Sequence, residues 1–133
     1  MPLPNGSGGY QVGSGNVSEP LFFPQGAPTA LTAGATVTAA QLVNGLFTFD
    51  GTAGNMTLPT VALLEAEIPA VQKINAAFDF FVINIDAAGS DAITVAIGTG
   101  WTLVGAGAVA AATSGHFRAR KTGDGTWTCY RIS

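Results

Sequence analysis

From Thr29 onward, short runs of Thr, Val, Ile, Phe and Ala are separated by glycine-marked turns, and this spacing constrains the fold more than any other feature of the chain. Several short strands at regular intervals predict a sandwich or a barrel. The predicted strands are residues 35–39, 45–50, 55–58, 77–86, 92–97, 101–104, 107–112, 115–122 and 126–132. One helix interrupts them. Thr60 can cap it, Val61, Leu64 and Ile68 share one face, Glu65 and Glu67 leave that face for water, and Pro69 stops it. At about eight residues such a helix is unstable alone, so it must lie on a sheet. The fold class expected is therefore all-β, a Greek-key or jelly-roll-like β-sandwich with one short helix and an extended N-terminal arm.

Residues 1–28 form the arm and residues 29–133 the sandwich domain, which leaves no room for a second core. The arm is rich in Gly, Pro, Ser and Asn, and its one apolar feature is the knot Leu21-Phe22-Phe23 between Pro20 and Pro24. Proline on both sides favours extended backbone. Adjacent phenylalanines are poor company for water, so Leu21, Phe22 and Phe23 are expected to dock on the body of the domain or on a neighbour, anchoring the arm.

Within the domain, Phe78 to Ile85 is apolar on both faces. Phe78, Phe80 and Val82 alternate with Phe81, Ile83 and Ile85. A half-solvated antiparallel strand would alternate with polar residues, so this strand is expected to be covered twice, by the helix or by another subunit. Charged residues are only 10% of the chain against a usual ~25%, which leaves little to keep subunits apart.

Those few charges are segregated. Residues 116–133 carry Arg118, Arg120, Lys121 and Arg131 against Asp124, whereas residues 1–115 carry Lys73 against seven acids. The basic segment reads as a hairpin in which Asp124-Gly125 makes a two-residue type I′ loop. In that register Arg118 faces Arg131, Arg120 faces Cys129, Phe117 faces Ile132 and Ala119 faces Tyr130. His116, Arg118, Arg120, Trp127 and Arg131 then share one face. Opposed arginines repel, so either a carboxylate from a partner lies near Arg118, Arg120 and Arg131, or the guanidiniums splay into solvent.

Other motifs have plainer explanations. Gly105-Ala106-Gly107-Ala108-Val109-Ala110 matches the dinucleotide fingerprint but lacks the surrounding βαβ unit. His116 is the only histidine and Cys129 the only cysteine; neither has an evident orienting acid, and Cys129 reads as a packing residue. Asp86 and Asp91 bracket a turn without a calcium-loop pattern. Trp101, Trp127 and Tyr130 could form a platform for sugars. A sequence pI near 4.7 disfavours nucleic acid as a partner. No apolar run is long enough for a membrane span and no signal peptide is visible at the N-terminus, so a soluble product is expected, with no cofactor and no metal.

The order of Thr57-Leu58-Pro59-Thr60, the short helix, Phe80-Phe81-Val82-Ile83-Asn84, then Thr94 to Gly105 with Trp101 inside it, Phe117-Arg118-Ala119-Arg120 and Tyr130-Arg131-Ile132 resembles modules of tailed-phage virion proteins. It is most similar to head decoration, or cement, proteins and related fibre modules, over roughly residues 32–133. The resemblance implies a β-sandwich homotrimer on the outer capsid surface, made in the host cytoplasm, with an arm reaching over the major capsid protein. It implies no catalytic residues. A receptor-binding or sugar-binding fibre module is the alternative, and it would expose Trp101 or Trp127 in a polar cleft.

Overall fold

The computed structural model describes residue 22 and residues 24–68, 73–86 and 90–133. Among the described residues ten strands and two helices follow one another as β1 (Thr29–Leu31), β2 (Ala35–Thr36), α1 (Ala39–Asn44), β3 (Leu46–Phe49), β4 (Gly54–Thr57), α2 (Val61–Glu67), β5 (Ala77–Asn84), β6 (Ile93–Ala96), β7 (Trp101–Val104), β8 (Ala108–Val109), β9 (Ser114–Gly123) and β10 (Thr126–Arg131). They form a six-stranded sheet in the order β1-β3-β5-β9-β10-β7 and a four-stranded sheet in the order β2-β4-β6-β8.

The route of the chain accounts for this order. Up to β8 successive strands alternate between the two sheets, so the chain re-enters the first sheet only after crossing the second. It arrives travelling in its original direction, which makes β1 parallel to β3, β3 to β5, β2 to β4 and β4 to β6. The coil supplies the crossover that parallel strands require. The protein is thus mainly β with mixed sheets. The Greek-key or jelly-roll expectation gains no support from this connectivity, because both motifs are built from antiparallel neighbours.

Two helices occur where one was expected, and each links a strand of the smaller sheet to the next strand of the larger one. α2 begins as predicted, with the Thr60 side chain accepting from Leu63 N and Val61 and Leu64 buried. Pro69 lies outside the described residues. The strand expected at 35–39 is cut to Ala35–Thr36, and α1 starts at its last residue, Ala39. Thr38 and Gln41 form a reciprocal capping box, and Gly45 closes the helix at φ 80°.

Side chains from both sheets and both helices meet in one core. Phe47 and Phe49 of β3, Phe80 and Val82 of β5, Phe117 and Ala119 of β9 and Trp127 and Cys129 of β10 face Met56, Ile93, Val95 and Val109 of the smaller sheet. Phe80 stacks on Phe117 at 5.2 Å and meets the Phe47 ring edge-on at 6.4 Å. Aromatic pairs at these separations add to the area term of burial.

The β9–β10 hairpin is present, but its register differs from the expected one by a residue. Thr126 faces Gly123; beyond it an irregularity between Thr126 and Trp127 sets Trp127 opposite Lys121, Cys129 opposite Ala119, Tyr130 opposite Arg118 and Arg131 opposite Phe117. Of the two central turn residues only Gly125 takes positive φ, at 69°. A type I′ loop needs both, whereas a type I turn followed by one left-handed glycine introduces a bulge and this offset. A one-residue slip exchanges the faces of a strand. Trp127 and Arg131 therefore leave the face of Arg118 and join the face of Phe117.

Candidate functional site

The most informative surface is the outer face of the six-stranded sheet. Strand alternation on β5 sends Phe80, Val82 and Asn84 inward, where they are buried. Phe81 and Ile83 point outward at 43% and 37% exposure, and Ile85 just beyond the strand is 52% exposed. Leu46 and Thr48 of β3 lie beside Phe81 and Ile83, and His116 and Ser114 of β9 flank them on the other side. The second apolar face read from the sequence thus exists, and no described element of the chain covers it.

A polar cluster borders this stripe. Asp79 sits opposite Arg118 across β5 and β9. Arg118 donates from Nε to Asp79 Oδ1 at 2.6 Å and from Nη2 to Oδ2 at 2.9 Å. His116 Nε2 lies 2.8 Å from Asp79 Oδ2, and the ring stacks on Phe81 at 4.4 Å. An ionised carboxylate only accepts, so that His116 nitrogen carries the proton. Arg120 donates to the Tyr130 hydroxyl through Nε and Nη2 and to Asn75 Oδ1 through Nη1.

The three-arginine cluster expected from the sequence is therefore not formed. Arg118 and Arg120 share the outer face, but the carboxylate that answers Arg118 is the chain's own Asp79. Arg131 is on the inner face, with its guanidinium 5.1 Å over the Phe117 ring. It donates to the carbonyls of Ala106, Ala108 and Ser133, tying β10 to the 105–108 turn and to the C-terminus. Of the anchor residues, Phe22 is 83% exposed, and Leu21 and Phe23 lie outside the described residues.

The Arg118 guanidinium, and secondarily His116, hold the Asp79 carboxyl at about 2, down from 3.8. A depressed folded-state pKa stabilises above the unfolded value and loses that stabilisation as the carboxyl protonates. The contribution of Asp79 is thus present above pH 3.8 and falls away toward pH 2. The Arg118 side chain is half exposed, so solvent screening limits this contribution to about 1 kcal/mol. Asp79→Asn is expected to flatten the acid limb of the stability curve by that amount; a limb identical to the parent's in chemical denaturation would contradict this.

Sequence reasoning missed a second cluster, on the inner side. Lys121 of β9 is buried and donates from Nζ to Glu65 Oε2 on α2, and Trp127 Nε1 donates to the same oxygen at 2.9 Å. Glu65 is thus not one of the solvated acids expected. It lies one helical turn after Val61, on the edge of the buried face. The hydrogen bond from Lys121, then that from Trp127, lowers its pKa from the usual carboxylate value. No local signal marks this pair, whose members are 56 residues apart.

Other candidate residues are committed to packing. Trp101 and Trp127 are buried, with Trp101 Nε1 donating to the Pro59 carbonyl at 2.7 Å, so these two rings form no platform at the surface. Cys129 lies in the core, where burial pushes its thiol up to about 12, and it is on the opposite face from His116. Asn84 accepts from Asp86 N through Oδ1 and donates through Nδ2 to the carbonyls of Asp91 and Val109. Among the described residues no three His, Cys, Asp or Glu side chains converge to hold a metal, and no helix is long and apolar enough to cross a membrane. No family model, no curated protein and no solved structure matches the chain.

Proposed function

We propose that this chain is a structural virion protein: a homotrimer on the outer surface of a phage capsid that acts as a cement by adding buried area between major capsid subunits. The observation that carries the reading is the outer face of β5, where Phe81, Ile83 and Ile85 stand in solvent beside Leu46 although Phe80, Val82 and Asn84 of the same strand are buried. Contiguous exposed apolar surface rimmed by polar groups marks a protein contact. Its border is already neutralised, since Arg118 and Asp79 answer each other, so a second protein surface can approach without leaving either charge unpaired. The low charge of the whole chain points the same way. Such a protein needs no cofactor and no catalytic group, and its partners are protein surfaces, not nucleic acid or membrane.

Mixing the purified chain with capsids and pelleting them tests this reading. Saturable co-pelleting in multiples of three chains is expected. Full burial of a phenylalanine is worth ~1.5–3 kcal/mol, so Phe22→Ala with Phe23→Ala is expected to weaken association, between subunits or with the capsid, by several kcal/mol. A chain that stays in the supernatant at micromolar concentration would contradict the proposal.

A further inference from the structure

A groove of about 560 Å³ shares no lining residue with the outer face of β5. It lies where β2, β4 and β6 end and where α1 and α2 begin, and its walls include Val37, Leu58, Pro59, Thr60 and Leu63. Volumes of ~300–1,000 Å³ are typical of sites that enclose small apolar groups. Leu63 of α2, at its wall, is 61% exposed.

The root of the N-terminal arm is pinned close by. Gly26 N donates to Asn44 Oδ1 at 3.0 Å, Gln25 Nε2 donates to the Asn44 carbonyl at 2.8 Å, and Asn44 Nδ2 donates to the Ala27 carbonyl at 2.9 Å. The approach is tight, since a Cβ on Gly26 would fall 2.5 Å from Asn44 Oδ1. Asn44 is the last residue of α1, whereas Thr38 and Ala39 at its start line the groove. Six helical residues rise ~9 Å. An extended chain covers ~3.3 Å per residue, so the three residues from Gly26 to Phe23 reach ~10 Å and the five to Leu21 ~17 Å.

We infer that the groove is the seat of the Leu21-Phe22-Phe23 knot of a second copy of this chain. The knot is the one apolar element of the arm, and the pinned root delivers it to the surface around the groove. Within a single chain Phe22 stays 83% exposed while Leu63 stays open, so the chain does not join them itself. Exchange between copies covers both, and when each copy gives its arm to the next a closed ring results. Proline at 20 and 24 reduces the backbone freedom lost on docking. This inference rests on the homotrimer proposed above and specifies a contact separate from the β5 face.

The full chain carrying Phe22→Cys with Leu63→Cys tests it, since both positions are exposed and neither change touches the core. Cys129 is buried with a raised pKa and does not compete. After mild oxidation, disulfide-linked dimers and closed trimers that collapse on reduction are the expected result. A disulfide within one chain would overturn the inference by making the arm's own subunit the host, and thiols that remain free would overturn it too. Sedimentation of the parent chain separates the two claims. Associated chains that fail to link between copies refute only the arm seat, whereas separate chains refute the trimer as well.

Discussion

Glu65→Ala is expected to destabilise the fold by ~3–5 kcal/mol, the usual cost of leaving one member of a buried ion pair without its partner. The side chain of Lys121 is only 2% exposed, and Trp127 Nε1 donates to the same carboxylate oxygen, so the substitution orphans a buried ammonium and a buried N–H together. Lys121→Met should cost less, because Glu65 retains Trp127 as a donor and has more access to solvent. Glu65→Leu with Lys121→Met should recover much of the loss, since an apolar pair of similar volume satisfies the site without desolvated charge. Urea midpoints at unchanged m-value measure all three. Equal and small effects of the two single substitutions would contradict a buried, coupled pair.

Phe81→Ser with Ile83→Ser is expected to separate the subunits while leaving each folded. Both side chains keep roughly half their surface in water in the single chain, so about half of the ~1.5–3 kcal/mol for each full burial is still available to an interface. Together that is ~1.5–3 kcal/mol for each contact, or roughly a 10- to 150-fold loss in affinity. The inward residues of β5 are untouched, so the thermal unfolding of the dissociated variant should stay cooperative. An unaltered association constant would mean that this face is not the contact.

What the sequence revealed and what it concealed have physical causes. The doubled apolar pattern of β5 was legible because strand alternation alone separates Phe81, Ile83 and Ile85 from Phe80 and Val82. The hairpin was legible from Gly123-Asp124-Gly125, but its register was not, since the same glycine serves a two-residue loop or a bulged one. The difference of one residue decided whether Arg131 stood beside Arg118 or over Phe117. α1 had a readable signature in Thr38 and Gln41, concealed within a Thr, Val and Ala string that also suits a strand. The parallel coil was hidden because a link as short as residues 50–53 reads as a hairpin turn, and only the three-dimensional route shows that it changes sheets. Asp79 as the partner of Arg118, and Glu65 as the partner of Lys121, depend on contacts 39 and 56 residues apart.

The central claim is that this chain acts through assembly, and sedimentation equilibrium of the full chain at micromolar concentration tests it most directly. Each chain has a mass of 13.4 kDa. The account predicts a single species of three chains that dissociates when Phe81 and Ile83 are made polar. A parent protein that sediments as one chain across the micromolar range would contradict it.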